Sequence, residues 1–387
     1  MLSTLKRSNS LSNSQEIYTS PRDKIFFPNL NGLRFIAAIL VIVSHMDGGA
    51  NPALMGQLGV TLFFVLSGFL ITYLLLAEKE KFGRIRFRDF YVRRALRIWP
   101  LYYFVVIISL FILPRIDFFH SSLEQINTNI GLKTILYFVI LPNAAKELFP
   151  VVPYLGQAWS IGVEEQFYLF WPLIVQHTRR YFLVIAGTAI FFVVLLQLLW
   201  YLSAPGRELI NNTPFIIFAK NFMFFLRIQC MCIGGLFALM LYFRWHTILT
   251  LLMCRPAQII IWATTIVLVI RGQHIWHITH EVYSVLFGII ILNLAGAKAS
   301  LVKLQFSWLD YLGRISYGLY MLHAIAITLS SRIVNYFLAD STSILYQSGM
   351  YITSIGLSIV LASLSYHYLE MPFLKYKKLF MHVKSGS

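Results

Sequence analysis

Three long runs of uncharged, mostly apolar residues limit what this chain can fold into. Residues 58–77, 98–114 and 181–204 contain no charged side chain, and each matches the ~17–25 residues that a helix needs to cross a bilayer. The runs are continuously apolar, whereas the strands of a transmembrane barrel alternate apolar and polar residues. The chain is 58% hydrophobic and only 12% charged, against about a quarter charged in a soluble domain. The sequence therefore predicts an all-α, polytopic membrane helix bundle, because helices satisfy their own backbone in lipid.

The order of apolar and charged segments predicts about ten transmembrane helices. Their approximate limits are 30–47, 57–77, 97–114, 156–177, 181–203, 218–243, 249–270, 281–297, 311–330 and 348–369. Lysines and arginines concentrate on one side of this arrangement, so the positive-inside rule places both termini in the cytosol. Segment 135–142 is too short to cross and is predicted to be re-entrant or interfacial, with a full span as the alternative.

The chain carries a formal net charge of +16, which raises the question of a nucleic-acid partner. Its basic residues lie at the ends of the predicted helices rather than on one soluble face. This pattern indicates orientation in the membrane and attraction to anionic lipid, and it argues against nucleic acid. Residues 1–24 are predicted to form a disordered cytosolic tail, residues 25–374 the transmembrane bundle and residues 375–387 a basic cytosolic tail.

Arg34 and His45 are ionisable residues in the first predicted span. Ionisable groups at membrane depth are costly, so they favour a functional interpretation. Eleven residues at about 100° each return to nearly the same helix face, about 16 Å further along the axis. A fixed cation and a titratable base are therefore predicted to face one side of one helix.

A basic cluster opens the third predicted span and contains Arg93, Arg94 and Arg97. Arg94 and Arg97 are three residues apart and share a helix face. A guanidinium group binds phosphate through two parallel hydrogen bonds. The cluster is predicted to hold a phosphorylated cofactor at the cytosolic mouth of the bundle, with ordinary positive-inside anchoring as the alternative.

The fourth predicted span carries two adjacent carboxylates, Glu164 and Glu165. Ser160, Glu164, Tyr168 and Trp171 fall on one stripe of this helix, and Glu165 points about 100° away. An unpaired buried carboxylate is costly. Glu164 is therefore predicted to act as an acid, a base or an orienting group for an arginine, while a structural ion pair between helices is the alternative.

Three further polar residues are weaker candidates. Tyr320 and His323 share a face of the ninth predicted span, where His323 either touches substrate or is a buried packing residue. Ser67 lies mid-way along the second span beside Gly68, and these small residues predict a close helix approach. Ser67 is a weak candidate nucleophile because its sequence neighbours include no base.

No metal site is predicted. The histidines at His-x-x-His-x-x-His spacing lack a surrounding ligand shell and favour an interfacial role, and the cysteines favour packing. These residues are His274, His277, His280, Cys230, Cys232 and Cys254.

Taken together, these segments resemble the acyltransferase-3 family of integral membrane O-acyltransferases. Six stretches match in family order and cover nearly the whole chain. They are Asn31-Gly-Leu-Arg-Phe-Ile-Ala-Ala followed by His45, Gly59-Val-Thr-Leu-Phe-Phe-Val-Leu-Ser-Gly-Phe-Leu70, Phe90-Tyr-Val-Arg-Arg-Ala-Leu-Arg-Ile-Trp-Pro100, Trp159-Ser-Ile-Gly-Val-Glu-Glu-Gln-Phe-Tyr168, Ile315-Ser-Tyr-Gly-Leu-Tyr-Met-Leu-His323 and Tyr366-His-Tyr-Leu-Glu-Met-Pro-Phe373.

The resemblance implies transfer of an acyl group, usually acetyl, from acetyl-CoA or another acyl-CoA to a hydroxyl of a glycan or glycolipid. It assigns the functional pair to Arg34 and His45, with Glu164 as a third catalytic candidate. It places the donor-binding arginines at Arg94 and Arg97, with Arg93 beside them. Trp159 and Ser160 fall in a supporting segment, together with the candidates Ser67, Tyr320 and His323. Family habit favours a bacterial cytoplasmic membrane.

Two features depart from the family pattern. Asn31 stands where many members have an aspartate, so an acidic role there is lost. Some members carry an appended extracytoplasmic SGNH-type domain, which this sequence does not show; either the bundle completes the transfer or a separate extracytoplasmic partner receives the acyl group. The alternative function is a proton-coupled transporter or flippase of a small molecule or lipid-linked sugar, which would use the same buried charges without acyl-CoA.

Overall fold

Helices make up nearly all of the regular structure in the computed structural model, which describes residues 24–25, 27–46, 52–119, 126–203, 214–296, 300–338, 343–380 and 384–385. The α-helices are α1 Pro28–Ser44, α2 Pro52–Phe82, α3 Phe87–Ile107, α4 Ile130–Phe138, α5 Pro142–Leu148, α6 Trp159–His177, α7 Tyr181–Leu202, α8 Pro214–Leu226, α9 Ile228–Tyr242, α10 His246–Met253, α11 Arg255–Ile270, α12 Thr279–Gly296, α13 Ser307–Arg314, α14 Ser316–Phe337, α15 Ile344–Leu364 and α16 Met371–Lys377.

Shorter elements join or extend these helices. Ile108–Ile112 continues α3 and Ser365–Glu370 continues α15 as π-helical turns, a form that is often found at functional sites. The 3-10 turns are Leu113–Arg115, Asp117–Phe119, Gly156–Ala158, Trp276–Ile278 and Lys378–Phe380. Strands β1 Lys24–Ile25 and β2 Lys384–Ser385 pair in parallel, which brings the two ends of the described chain together.

The described helices confirm the predicted membrane bundle. Seven helical segments, one of them made of α8 and α9 together, are long and apolar enough to cross a bilayer, and an eighth is counted if α10 and α11, bent by 62° at their junction, form one span. The other two predicted spans correspond to α1, whose 17 residues are apolar but short, and to α6, which carries Glu164 and Glu165. The count of ten and the side of each terminus stay predictions.

Segment 135–142 does not cross the bundle. It falls on the end of α4 and the start of α5, with Ile140 at a φ of 60° in the turn between them. The nine residues of α4 rise about 14 Å, less than half of the ~30 Å hydrocarbon core. The short α4 agrees with a segment that does not span, and the re-entrant or interfacial placement stays a prediction.

Helix α2 is the centre of the bundle and packs against α1, α6, α9 and α12. Two glycines allow α2 and α9 to approach closely. A Cβ atom at Gly68 would lie 1.9 Å from the carbonyl oxygen of Met231, and one at Gly234 would lie 2.1 Å from that of Val65. Any side chain at either position would therefore push the two backbones apart. Because Ser67 precedes Gly68, the same crossing fixes its place in the core.

The predicted tails are only partly described. Residues 1–23 of the predicted N-terminal tail lie outside the described residues. The predicted C-terminal tail over residues 375–387 begins inside α16, which packs against α3, and its Lys377 is only 8% exposed.

Candidate active site

Two adjoining cavities lie between α1, α2, α3 and α6. The larger holds about 1010 Å³ of space between atoms, open solvent included, and the second holds about 650 Å³. Both are lined by Arg34, Ser67, Arg94, Arg97 and Tyr168, so the two adjoin at these side chains and together make up the space between the four helices. We call this space the arginine cavity. Its other walls include apolar side chains of α1 and α2, so it offers both cationic and apolar surface.

Three guanidinium groups face the arginine cavity with their hydrogen-bond donors uncommitted. Arg34 lies two turns into α1, while Arg94 and Arg97 lie one turn apart on α3. Among the described residues none of the three forms a hydrogen bond or an ion pair. Arg94 lies over the rings of Phe90 and Tyr168, at 5.6 and 5.2 Å from their centroids. Each guanidinium carries five N–H donors, so the cluster is suited to a ligand with several anionic oxygens.

Arg93 differs from its neighbours because its donors are occupied. It forms an ion pair with Glu78 at 2.9 Å and donates a hydrogen bond to the carbonyl oxygen of Phe380 at 2.7 Å. It still lines the larger cavity. The structure thus places this predicted donor-binding residue in a contact that joins α2 and α3 to the C-terminal segment.

Glu164 is held by two hydroxyl groups. Its Oε1 accepts a hydrogen bond from Ser67 at 2.8 Å, and its Oε2 accepts one from Tyr168 at 3.2 Å. It lines the arginine cavity together with Arg34 and Arg94. The part of the chain that the structure describes shows these hydrogen bonds in place of the structural ion pair considered for Glu164. The carboxylate therefore adds the acceptor oxygens of the cavity.

The next residue, Glu165, faces a different neighbour. Its Oε2 accepts a hydrogen bond from Trp99 Nε1 at 3.2 Å, and its other oxygen is buried without a partner among the described residues. Glu165 does not line the arginine cavity. Glu164 and Glu165 are adjacent on α6 and therefore point in different directions, as the helix period requires.

A pair of hydroxyl groups lines the second part of the cavity. The hydroxyl oxygens of Ser160 and Tyr320 are 2.7 Å apart, and both residues line the cavity. Tyr320 also donates to the carbonyl oxygen of Gln157 at 2.9 Å. Trp159 lies outside the cavity lining, where its ring packs edge-on against Phe225 at 5.0 Å between centroids. Trp159 therefore supports the start of α6.

His45 lies at the C-terminal end of α1, apart from the residues that line the arginine cavity, and its side chain is exposed. Its Nδ1 is 2.8 Å from the carbonyl oxygen of Val41. A carbonyl oxygen only accepts, so Nδ1 carries a proton and donates it in this bond. The neutral ring therefore presents a lone pair at Nε2, which is the form that a general base or a nucleophile requires.

His323 connects His45 to the cavity. Its ring lies edge-on to that of His45 at 4.7 Å, and 6.0 Å from the ring of Tyr320. Its Nδ1 donates to the carbonyl oxygen of Tyr320 at 2.6 Å, while its Nε2 is buried and has no partner within the described ranges. A buried nitrogen without a partner is rare in native structures. The structure thus joins the cavity to His45 through Tyr320 and His323.

Sequence reasoning missed several residues of the cavity. Lys377 and Glu78 line it, yet each appeared in the sequence only as one of many charges near a helix end. It also missed that Ser67 has a carboxylate beside it, because Glu164 is 97 residues away in the chain. These contacts follow from helix packing, which leaves no local signal in the sequence.

The histidine run serves separate contacts. His280 lies 3.1 Å from Gln57 Oε1 and 3.0 Å from Thr61 Oγ1, and the ring of His277 packs against Trp200 at 4.7 Å. The three cysteines are free thiols, with Cys230 and Cys232 buried. Among the described residues no group of histidine, cysteine, aspartate or glutamate has the geometry to hold a metal ion.

Comparison with known proteins gives the family. The model of the acyltransferase-3 family, which describes an acyltransferase domain, matches residues 27–363. The chain belongs to the acyltransferase-3 family. Together with its apolar helices, this membership makes it an integral, multi-pass membrane protein of an enzyme family. The comparison with solved structures found no match.

Several curated proteins are similar to this acyltransferase-3 member. A Staphylococcus aureus (strain COL) protein, provisionally named an O-acetyltransferase, is 26% identical over 392 residues, covering 94% of this chain and 60% of the relative. The peptidoglycan O-acetyltransferase OatA of Listeria monocytogenes is 31% identical over 159 residues, covering 40% of this chain and 25% of OatA. A Bacillus subtilis protein, provisionally named a peptidoglycan O-acetyltransferase, matches to the same degree. The chain thus spans about three-fifths of the length of the Staphylococcus relative.

Proposed function

We propose that this chain is a membrane O-acyltransferase that moves an acetyl group from acetyl-CoA, or a similar acyl group from its CoA thioester, to a hydroxyl of a glycan or glycolipid. The observation that carries the proposal is the arginine cavity, in which three uncommitted guanidinium groups face apolar walls. An acyl-CoA has a matching structure, because its phosphates are anionic and its acyl end is largely apolar. Membership in the acyltransferase-3 family supports the reaction class.

The donor binds through its phosphates. Arg94 and Arg97 take the phosphate oxygens through bidentate hydrogen bonds, and Arg34 faces the same space from α1. The thioester then points along the cavity toward the Ser160–Tyr320 hydroxyl pair. Glu164 remains hydrogen-bonded to Ser67 and Tyr168, so its charge balances the arginines without closing the space. The binding site and the reacting end are thus aligned along one face of α1.

His45 removes the proton of the acceptor hydroxyl. Its Nε2 lone pair accepts this proton while the acceptor oxygen attacks the thioester carbonyl carbon. The carbon–sulfur bond breaks, the CoA sulfur leaves as thiolate, and the proton held by His45 passes to it, so the imidazole returns to its neutral form. If His45 carries the acyl group first, its Nε2 attacks the carbonyl carbon, the carbon–sulfur bond breaks and CoA leaves as thiolate. The acceptor oxygen then attacks the same carbon, the carbon–nitrogen bond breaks, and the acceptor proton passes to the thiolate.

The acceptor enters from the His45 end of the bundle. His45 is exposed, while the arginine cavity lies about 16 Å away along α1. Donor and acceptor thus approach from opposite ends. The names of two relatives, one of them provisional, refer to peptidoglycan and support a glycan acceptor. The protein itself is proposed to lie in a bacterial cytoplasmic membrane. A separate extracytoplasmic partner that receives the acyl group is the second form of this proposal.

Purified protein in proteoliposomes, incubated with acetyl-CoA labelled in the acetyl group, tests the proposal. We expect consumption of the thioester and appearance of alkali-labile label in a glycan or glycolipid fraction. Label that stays on the protein after gel filtration, and is lost in His45→Ala, would show that His45 carries the acyl group. No consumption of thioester with any cell-envelope extract would overturn the proposal and would favour the transporter alternative.

A further inference from the structure

The arginine cavity contains a basic residue from outside the part of the chain that matches the family. The match ends at residue 363, yet Lys377 of α16 lines the larger cavity together with Arg34, Arg94 and Arg97. Lys377 is only 8% exposed, whereas most lysine side chains lie at the protein surface. The C-terminal segment therefore forms part of the cavity wall.

Specific contacts hold this segment in place. Helix α16 packs against α3, and Arg93 donates to the carbonyl oxygen of Phe380 at 2.7 Å while it is paired with Glu78 at 2.9 Å. Glu78 also accepts a hydrogen bond from the backbone N–H of Arg86 at 2.9 Å. These bonds tie the residues that follow Lys377 to α2 and α3. Arg93 thus acts as a positioning residue for the segment.

The charge balance of the cavity points to the ligand. Arg34, Arg93, Arg94, Arg97 and Lys377 line its larger part, where Glu78, which is already paired with Arg93, is the one carboxylate among the described lining residues; Glu164 lines the adjoining part. Like charges in a partly enclosed space repel each other, and the repulsion grows as water is excluded. An anion with several phosphate groups would relieve this repulsion among Arg34, Arg94 and Arg97, which have no hydrogen-bond or ion-pair partner among the described residues.

We propose that Lys377 binds a phosphate group of the acyl-CoA donor, and that the face of α16 that carries Lys377 forms one wall of the donor site. This inference rests on the proposed function. A lysine ammonium binds phosphate as a point charge, whereas arginine binds it through a planar fork, so Lys377 complements the arginines of α1 and α3. The donor site then includes a residue, Lys377, that lies beyond the matched residues 27–363.

The test compares two donors in the full-length protein. Acetyl-CoA carries the phosphates, and acetyl-pantetheine carries the same thioester without them. Lys377→Met keeps most of the side-chain volume and removes the charge, while Lys378→Met is the matched control on an exposed neighbour. We expect the KM of Lys377→Met for acetyl-CoA to rise roughly 10- to 100-fold, the effect of losing one charge-assisted hydrogen bond. Its KM for acetyl-pantetheine should stay that of wild type.

The outcomes separate this inference from the proposed function. Equal KM values for acetyl-CoA in Lys377→Met and Lys378→Met, or a rise that is the same for both donors, would overturn the role of Lys377 while leaving the acyltransferase in place. A wild-type protein that consumes neither donor would overturn the proposed function itself. Should Lys377→Met misfold, amine labelling of wild type replaces it: CoA is expected to protect Lys377, and equal labelling with CoA and with pantetheine would contradict the inference.

Discussion

The two ends of α1 present opposite hydrogen-bonding needs. At the Arg34 end the cavity offers donors, because Arg34, Arg94 and Arg97 have no hydrogen-bond or ion-pair partner among the described residues. At the other end His45 and His323 each commit Nδ1 to a backbone carbonyl, so their Nε2 atoms offer acceptors. One helix thus joins a region that binds anions to a region that accepts protons.

Because donors lie at one end of α1 and acceptors at the other, one bundle can bind the donor in one region and move the proton in another. Cations that recognise phosphate would lower the affinity of a nearby imidazole for a proton, because like charges repel. A separation of about 16 Å along α1 weakens this repulsion. Tyr320 and Ser160 lie between the two regions and bond to each other at 2.7 Å. Binding and proton transfer should therefore respond separately to mutation.

Substitution of His45 is expected to have the largest effect. His45→Ala removes the proposed base, so kcat should fall by about 10²–10⁴-fold, the usual contribution of general base catalysis. Binding of acetyl-CoA should stay unchanged, because the arginines are intact. Isothermal titration and initial rates measure the two quantities. His177→Ala, at the exposed end of α6, is the control. An active His45→Ala protein would exclude His45 from the mechanism.

Substitutions in the arginine cluster should show the reverse pattern. Arg94→Ala and Arg97→Ala each remove charge-assisted hydrogen bonds to phosphate, so the KM for acetyl-CoA should rise roughly 10- to 100-fold. Arg94→Lys should recover only part of this loss, because an ammonium cannot form the bidentate pair. Initial rates over a range of acetyl-CoA concentrations give KM and kcat separately. If kcat alone fell, these arginines would belong to the reacting end.

The sequence predicted the cations and their helices but not their partners. Arg34, Arg94 and Arg97 stand out because charges in apolar segments are rare, and the structure brings all three to one cavity. The bond between Ser67 and Glu164 depends on how α2 packs against α6, and the place of Lys377 depends on how α16 packs against α3. Such contacts join distant segments and leave no periodic pattern in either one.

His45 shows a second limit of sequence reasoning. Helix periodicity predicts that Arg34 and His45 face one side of one span, and the structure places Arg34 within α1 and His45 as the residue that caps its C-terminal end. The periodicity did not show that His45 pairs with His323, whose ring lies 4.7 Å away, rather than with Arg34 or Glu164. A lone histidine in an apolar segment gives no indication of its partner. The fold itself was more predictable, because the length of each apolar run sets the length of its helix.

Substitution of Glu164 tests whether the negative charge of this carboxylate matters inside the arginine cavity. Glu164→Gln keeps the side-chain shape but removes the charge that the Ser67 and Tyr168 hydroxyls stabilise. We expect kcat to fall roughly 3- to 10-fold, the order expected for losing a hydrogen bond to a charged group, and the KM for acetyl-CoA to stay level or fall as the cavity becomes more positive. Glu165→Gln is a matched control, because Glu165 faces Trp99 instead. Equal effects of the two substitutions would mean that Glu164 has only a structural role.

The smallest expected effect is on stability and concerns Lys146. This residue lies on α5, a helix that packs against α6. Its Nζ lies 3.8 Å from the ring centroid of Phe225, and burial lowers the pKa of Lys146 to about 8. The unfolded side chain holds its proton up to about pH 10.5, so between pH 8 and 10.5 the unfolded state binds more protons and stability rises with pH. The gain is about 1–3 kcal/mol at most, since the side chain is only partly buried.

Thermal unfolding in detergent at pH 7 and pH 10 measures this contribution. The Tm of wild type minus the Tm of Lys146→Met should increase as the pH rises, because the deprotonated amine no longer places a charge in the aromatic site. Lys378→Met, on an exposed lysine, should show no such change relative to wild type. If the Tm difference between wild type and Lys146→Met does not vary with pH, Lys146 stays charged above Phe225. The ammonium would then be stabilised by its cation–π contact with that ring.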